Sequence, residues 1–211
     1  MWQCSIWPHM DSSSTIQRIK DSIDVTLAHI GQFQLIEPSV VPEGLKQIAR
    51  SISWIVEQVV VQNLRKYRPV NNILSVEDPP HNLTQYDCLI KYPLDTNDYF
   101  INIKTSLSQT PTNSRFDVSK ASRLIDFYTV NPNAYLILAI VKVDMRNTDV
   151  IFRNTIVFNV SWMTDIYYNR ANHNVQTSLP NGNDSLIMRS NLEFITILQA
   201  KINERGHDQH Y

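Results

Sequence analysis

The chain has 211 residues, 43% hydrophobic and 18% charged, with a formal net charge of −1; this is the composition of a globular protein with a full core and excludes intrinsic disorder. With only 4 glycines and neither a GxGxxG nor a GxxxxGK[ST] string, it has no glycine-rich dinucleotide or nucleotide-phosphate loop. No apolar run approaches the ~18 residues that span a bilayer, and residues 1–10 lack the pattern of a secretory signal, so a soluble, cytoplasmic protein with reduced thiols at Cys4 and Cys88 is expected.

Ser12-Ser13-Ser14 precedes Ile16, Ile19, Ile23, Leu27 and Ile30, whose steps of three and four predict an amphipathic helix with a serine cap. A second helix is predicted after Pro42, from about 43 to 67, with the stripe Leu45, Ile48, Ile52, Ile55, Val59 and Leu64. Arg65, Lys66 and Arg68 suit the C-terminal end of its dipole. Asp78-Pro79-Pro80-His81-Asn82 predicts a turn. Two β-rich runs, 86–92 and 99–105, flank a polar connector and read as an antiparallel hairpin.

A polar loop, 106–115, then leads to a third helix carrying Val118, Ala121, Leu124, Ile125 and Tyr128, which Asn131-Pro132-Asn133 ends. The run 134–143 is almost wholly apolar and suits a central strand buried on both faces. Another strand is predicted within 149–160, and helical periodicity returns from about 184 to 205. This order predicts a single α/β domain over 1–211, with a mixed central sheet flanked by helices. Its parts are an N-terminal helical part at about 12–67, a core at about 76–161 and a C-terminal helical part at about 162–205.

The chemistry concentrates in Asp87 and in Asn102-Ile103-Lys104. Residues two apart on a strand share a face, so Phe100, Asn102 and Lys104 point one way while Ile101 and Ile103 point the other. Asn102 and Lys104 then stand about 6.8 Å apart at Cα. Lysine is seldom buried without a partner, so Lys104 on such a strand needs a reason.

The order of an acid, a hairpin, an Asn-x-Lys triplet, a helix and an apolar strand resembles the PD-(D/E)XK nuclease superfamily, and within it the type II restriction endonucleases. The resemblance covers roughly residues 57–143. It implies a restriction-endonuclease-like fold and Mg²⁺-dependent, sequence-specific hydrolysis of double-stranded DNA. By the same resemblance Asp87 is a metal ligand, Asn102 occupies the second acid's position and Ile103 supplies a backbone carbonyl to the metal. Lys104 is then the catalytic lysine, and Glu57 matches an extra acid on the preceding helix. The chemistry is coherent: carboxylate and carbonyl oxygens suit Mg²⁺, and a metal with an ammonium stabilises an attacking hydroxide. The family's motif carries Asp or Glu where this chain has Asn102, which is similar to a subgroup with Asn-x-Lys or Gln-x-Lys. As a neutral ligand, Asn102 is expected to be replaceable by Asp with metal binding kept or tightened.

A local basic cleft is compatible with a near-neutral total. Ser106, Ser108, Gln109, Thr110, Asn113 and Ser114 in the polar loop, with Arg115 and Lys120 beside them, are expected to meet DNA. The loop would read bases in a groove, and residues 113–115 would meet a phosphate at a helix N-terminus. Asn169 and Arg170, in a segment dense in hydrogen-bonding side chains, form a second DNA-binding candidate. Because a duplex has two strands, a homodimer is expected, with the helix of residues 16–30 or the C-terminal helix as interface. The resemblance further implies a cognate DNA methyltransferase in the same system, not in physical contact. The alternatives are an inactive nuclease-like fold used for DNA binding or assembly, and a nuclease of repair or recombination that cuts by DNA structure.

Overall fold

The computed structural model describes residues 12–40, 49–81, 84–110, 114–179 and 186–206. Along the chain its helices are α1 (Ser12–Ile30), α2 (Ala49–Lys66), α3 (Ala121–Val130) and α4 (Asn191–Gly206). The strands up to the hairpin are β1 (Gln32–Gln34), β2 (Ser75–Glu77), β3 (Cys88–Lys91) and β4 (Tyr99–Leu107). After it come β5 (Arg115–Lys120), β6 (Tyr135–Arg146), β7 (Asp149–Asn159), β8 (Tyr167–Asn169) and β9 (Asn174–Ser178).

The apolar run organises the architecture. Residues 136–141 are all fully buried in β6, which lies inside a six-stranded sheet of order β1-β7-β6-β4-β3-β2. Ile137, Ala139, Val141 and Val143 face Ile19 and Ile23 of α1 and Val56, Val60 and Leu64 of α2. Leu136, Leu138 and Ile140 face Leu124 and Tyr128 of α3 and Phe194 and Leu198 of α4. Both faces are covered, which is why the strand shows no alternation. β4 and β6 run parallel, joined by a crossover through β5 and α3, whereas the other pairings in this sheet are antiparallel.

The stripe of α1 is buried in the chain's own core, each large side chain contributing about 1.5–3 kcal/mol. It is therefore not free to form the subunit interface expected of it. On α2 the buried line is Ile52, Val56, Val60 and Leu64, one position round from the expected Ile55 and Val59; the expected helix start at 43–48 lies outside the described residues.

The segment between β4 and α3 departs from expectation. Ser106 and Leu107 complete β4, a turn closes where Thr110 N–H donates to the Leu107 carbonyl (2.9 Å), and residues from Arg115 form β5. The third helix therefore starts at Ala121 instead of Val118. Phe116 and Val118 alternate with polar neighbours, and β5 pairs with β9 in a second sheet of order β5-β9-β8. The part from 162 onward is accordingly not helical throughout. Its helix α4 begins late, where Ser190 Oγ accepts from Glu193 N–H and Glu193 Oε2 accepts from Ser190 N–H (2.7 Å), a reciprocal cap. No described helix is long and apolar enough to cross a membrane.

Candidate functional site

β3 pairs with β4 over only three residues, Cys88 with Ile101, Leu89 with Phe100 and Ile90 with Tyr99, while β4 pairs with β6 from Tyr99 through Leu107. From Asn102 onward, β4 thus has an edge that β3 does not cover. Asp87, the residue before β3, fills the start of this notch. Its N–H donates to the Ile101 carbonyl (2.7 Å), and its Oδ2 accepts from the Ile103 N–H (2.6 Å). A strand residue directs its N–H and C=O to the same side, so the Ile103 carbonyl faces the notch as well.

Helix α2 closes the notch from the face that carries Ile101 and Ile103. Thr105 Oγ1 donates to the Ser53 carbonyl (3.5 Å), and Glu57 Oε1 lies 4.0 Å from Lys104 Nζ. Lys104 leaves β4 on the opposite face from Ile103 and reaches round the open edge to meet Glu57. Glu57, Asp87, Ile103 and Lys104, which the resemblance groups although they lie far apart in the sequence, come together here.

Burial dominates the electrostatics. It pushes the Glu57 carboxyl up to about 7, against the pull of Lys104 and with a further push from Asp87. Burial also raises Asp87, opposed by Lys104 and by the Ile103 N–H. Two carboxylates that resist ionisation beside a single ammonium are a setting in which added positive charge is stabilising. Among the described residues no group of three or more His, Cys, Asp or Glu side chains can hold a metal. A cation at the notch therefore needs amide or backbone oxygens beside Glu57 and Asp87.

Asn102 carries an amide oxygen on the next residue of β4, on the strand face opposite Ile103. It is 3% exposed; its Nδ2 donates to the Val118 carbonyl (3.0 Å), and its Oδ1 is buried without a partner. A buried acceptor left unpaired calls for an explanation, and an ion is one. Val118 is itself unusual. Asp117 pairs with Gln176 and Ser119 with Val175, so Val118 is the extra residue of a β-bulge. As a backbone partner reached through long-range pairing, Val118 left no trace in the sequence beyond the alternation of Phe116 and Val118.

The expected DNA contacts divide. Ser106 is 1% exposed inside β4 with its hydroxyl donating to the Leu107 carbonyl (3.2 Å), so it cannot reach a groove. Ser108 bonds Asp144 through its side chain and the Val143 carbonyl through its N–H (2.9 Å), which withdraws it too. Gln109 is exposed and Thr110 half-buried at the turn, Ser114 leads into β5, and Asn113 lies outside the described residues. Arg115 begins a strand, not a helix; it pairs with Asp165 (3.4 Å) and lies over the Tyr167 ring (3.8 Å). Lys120 is exposed at the far end of β5, opposite Asn174, and Asn174 also pairs with Asn169 of β8. Arg170 follows, exposed. The small sheet thus unites Arg115 and Lys120 with Asn169 and Arg170.

A cleft of about 890 Å³ opens at the other end of β4 and β6, lined among others by Arg18, Asp95, Tyr135, Trp162 and Arg189. Arg18 pairs with Asp95 and stacks on Tyr92 (3.8 Å), and Arg189 donates to the Ser161 and Met163 carbonyls. Both cations are engaged within the protein, and the cleft contains none of the notch residues. No protein-family model matches the chain, and no curated protein matches it.

Proposed function

We propose that the chain is a Mg²⁺-dependent endonuclease of double-stranded DNA, with a restriction-endonuclease-like fold and the notch as its active site. The observation that carries this reading is the convergence of Glu57, Asp87 and Lys104 at the open edge of β4. The succession α2, β2, β3, β4, β5, α3, β6, in which β6 runs parallel to β4 and β5 turns aside into the second sheet, supports it further.

Asp87, Glu57, the Ile103 carbonyl and Asn102 Oδ1 fit a hard cation and would hold Mg²⁺. When bound, Mg²⁺ supplies a Lewis acid for the phosphate and acidifies a coordinated water. Lys104 stabilises negative charge on the attacking oxygen and on the phosphoryl group. Glu57 Oε1, 4.0 Å from Lys104 Nζ, keeps that ammonium beside the notch. The Ile103 N–H pins Asp87, so the first ligand is oriented before substrate arrives.

The small sheet supplies phosphate contacts through Lys120 and Arg170. A homodimer would bring one notch to each strand of the duplex. Its interface falls to α4, where Leu192 (73% exposed) and Ile197 (37%) remain uncovered. Sequence-specific restriction, with a cognate methyltransferase in the same cytoplasm, rests on the resemblance alone. One observation favours a DNA-binding module without catalysis: an amide at position 102 brings no charge to the metal. Cleavage separates the two. Phage DNA of known sequence incubated with Mg²⁺ should give discrete fragments, and Asp87→Ala and Lys104→Ala should each slow cutting by about 10²–10³-fold or more with the circular dichroism unchanged. A wild-type chain that leaves the DNA intact, or both variants cutting at its rate, overturns the reading.

A further inference from the structure

Position 102 is where the resemblance implies a carboxylate, and the structure shows what an amide does there that a carboxylate cannot. The Val118 carbonyl accepts from Asn102 Nδ2 at 3.0 Å in a buried setting. Val118 has no partner across the β5–β9 ladder, and its side chain is packed with Leu124 and Val175 in the core between the two sheets. We propose that Asn102 is a positioning residue: it clamps the bulge of β5 to the catalytic strand and so fixes the DNA-facing end of the small sheet relative to the notch. The inference rests on the nuclease reading of the notch.

What the clamp holds is a stiff arm. Lys120 stands two residues, about 6.8 Å, beyond Val118 and pairs with Asn174. Asn174 closes the exposed turn 170–173. In that turn Asn169 Oδ1 accepts from Ala171 N–H (3.1 Å), and Asn172 Oδ1 accepts from Asn174 N–H (3.1 Å). His173 adopts φ of 57°, its carbonyl accepts from Ala121 N–H (2.9 Å), and its Nδ1 lies 2.6 Å from Tyr168 Oη. A non-glycine residue in the left-handed region persists where its surroundings impose it. The turn that presents Arg170 and Asn172 is therefore preformed, and a buried hydrogen bond ties its sheet to β4.

An Asp at 102 in the ionised form that suits a metal would set lone pairs against the Val118 carbonyl, with no proton to share. The charge that suits a metal and the donor that suits the bulge exclude one another at this position, and the chain carries the donor. Asn102→Asp is consequently not a repair of the motif. It should bind Mn²⁺, measured by calorimetry without DNA, at least as tightly as wild type. Its β5 and turn amides should exchange hydrogen at least about tenfold faster, and the fragment ends from a sequenced genome should spread to sequences that the wild type spares. Asn102→Leu should loosen β5 in the same way while weakening Mn²⁺, which separates loss of the donor from gain of charge and serves equally if the Asp variant does not fold. Wild-type exchange rates in β5 for the folded variants, or an unchanged set of fragment ends from Asn102→Asp, overturns the clamp with the nuclease reading intact. If the wild type cuts no DNA, the nuclease reading fails instead, and the exchange rates alone still decide whether the clamp exists.

Discussion

Glu57 is one of two carboxyls in the notch that burial raises, and the one through which pH acts nearest neutrality. Its carboxyl stands at about 7 against an ordinary 4.5, raised by burial and by Asp87 and lowered by Lys104. Between those values the native state keeps a proton that the unfolded chain has lost. The resulting stability is fully present below pH 4.5 and disappears as pH rises through about 7. Glu57→Gln, which mimics the protonated form at every pH, should match wild type in urea at pH 4. At pH 8 it should be more stable, by on the order of 1–2 kcal/mol once solvent screening is allowed for. Its cleavage rate should lose the rising limb through pH 7 that ionisation of a metal ligand would give the wild type. Equal stability of the two proteins at pH 8 would mean that Glu57 ionises as it does in water. Glu57, Asp87 and Lys104 could be nominated from the sequence because each carries its chemistry in its side chain and its place in the chain order, and the structure brings the three together. The partner of Asn102 could not be nominated, because any of the chain's carbonyls is chemically equivalent until the fold selects one.

Elements whose pattern is long were equally legible. The stripe of α1 and the apolar run of β6 each repeat one periodicity over several turns or residues, and the structure uses both as expected. β5 failed for a physical reason. Its two alternating residues, Phe116 and Val118, adjoin α3, and Val118 also fits the helical spacing of Ala121, Leu124, Ile125 and Tyr128. Pairing with β9, some sixty residues on, decided in favour of a strand, and no local preference reports such a contact. The same long-range packing predicts how α4 behaves. Phe194 is fully buried with its ring centroid 5.7 Å from that of Tyr128, so Phe194→Ala should cost about 3–5 kcal/mol. Leu192, 73% exposed on the same helix, should tolerate Ala within about 0.5 kcal/mol in a monomer. Urea midpoints give both values, and similar losses at the two positions would show that α4 packs differently.

At the scale of the whole molecule a net charge of −1 gives no general attraction for DNA, so the binding we propose has to rest on local charge. Lys120 and Arg170 stand exposed at one end of the small sheet. Arg115, at the other end of β5, already meets Asp165, and exposed Asp117 lies on the same strand. Few phosphate contacts should form, and each contributes about 0.9 to the dependence of log K on log salt. The wild type should therefore show a shallow slope, roughly −2 to −4, in place of the steep one of a basic DNA-binding protein. Lys120→Glu with Arg170→Glu should remove about 2 from that slope and weaken all sequences alike. Arg115→Glu should do less than Lys120→Glu, because the charge it removes is already answered within the protein. Lys201, paired with Glu204 on α4, serves as the remote control. Fluorescence anisotropy of a labelled duplex across a salt series, without Mg²⁺ to prevent cutting, measures each slope. A slope near zero for the wild type would remove phosphate contact, and with it DNA, from the account of this surface. An effect of Arg115 as large as that of Lys120 would mean that the Asp165 pair opens when the duplex binds.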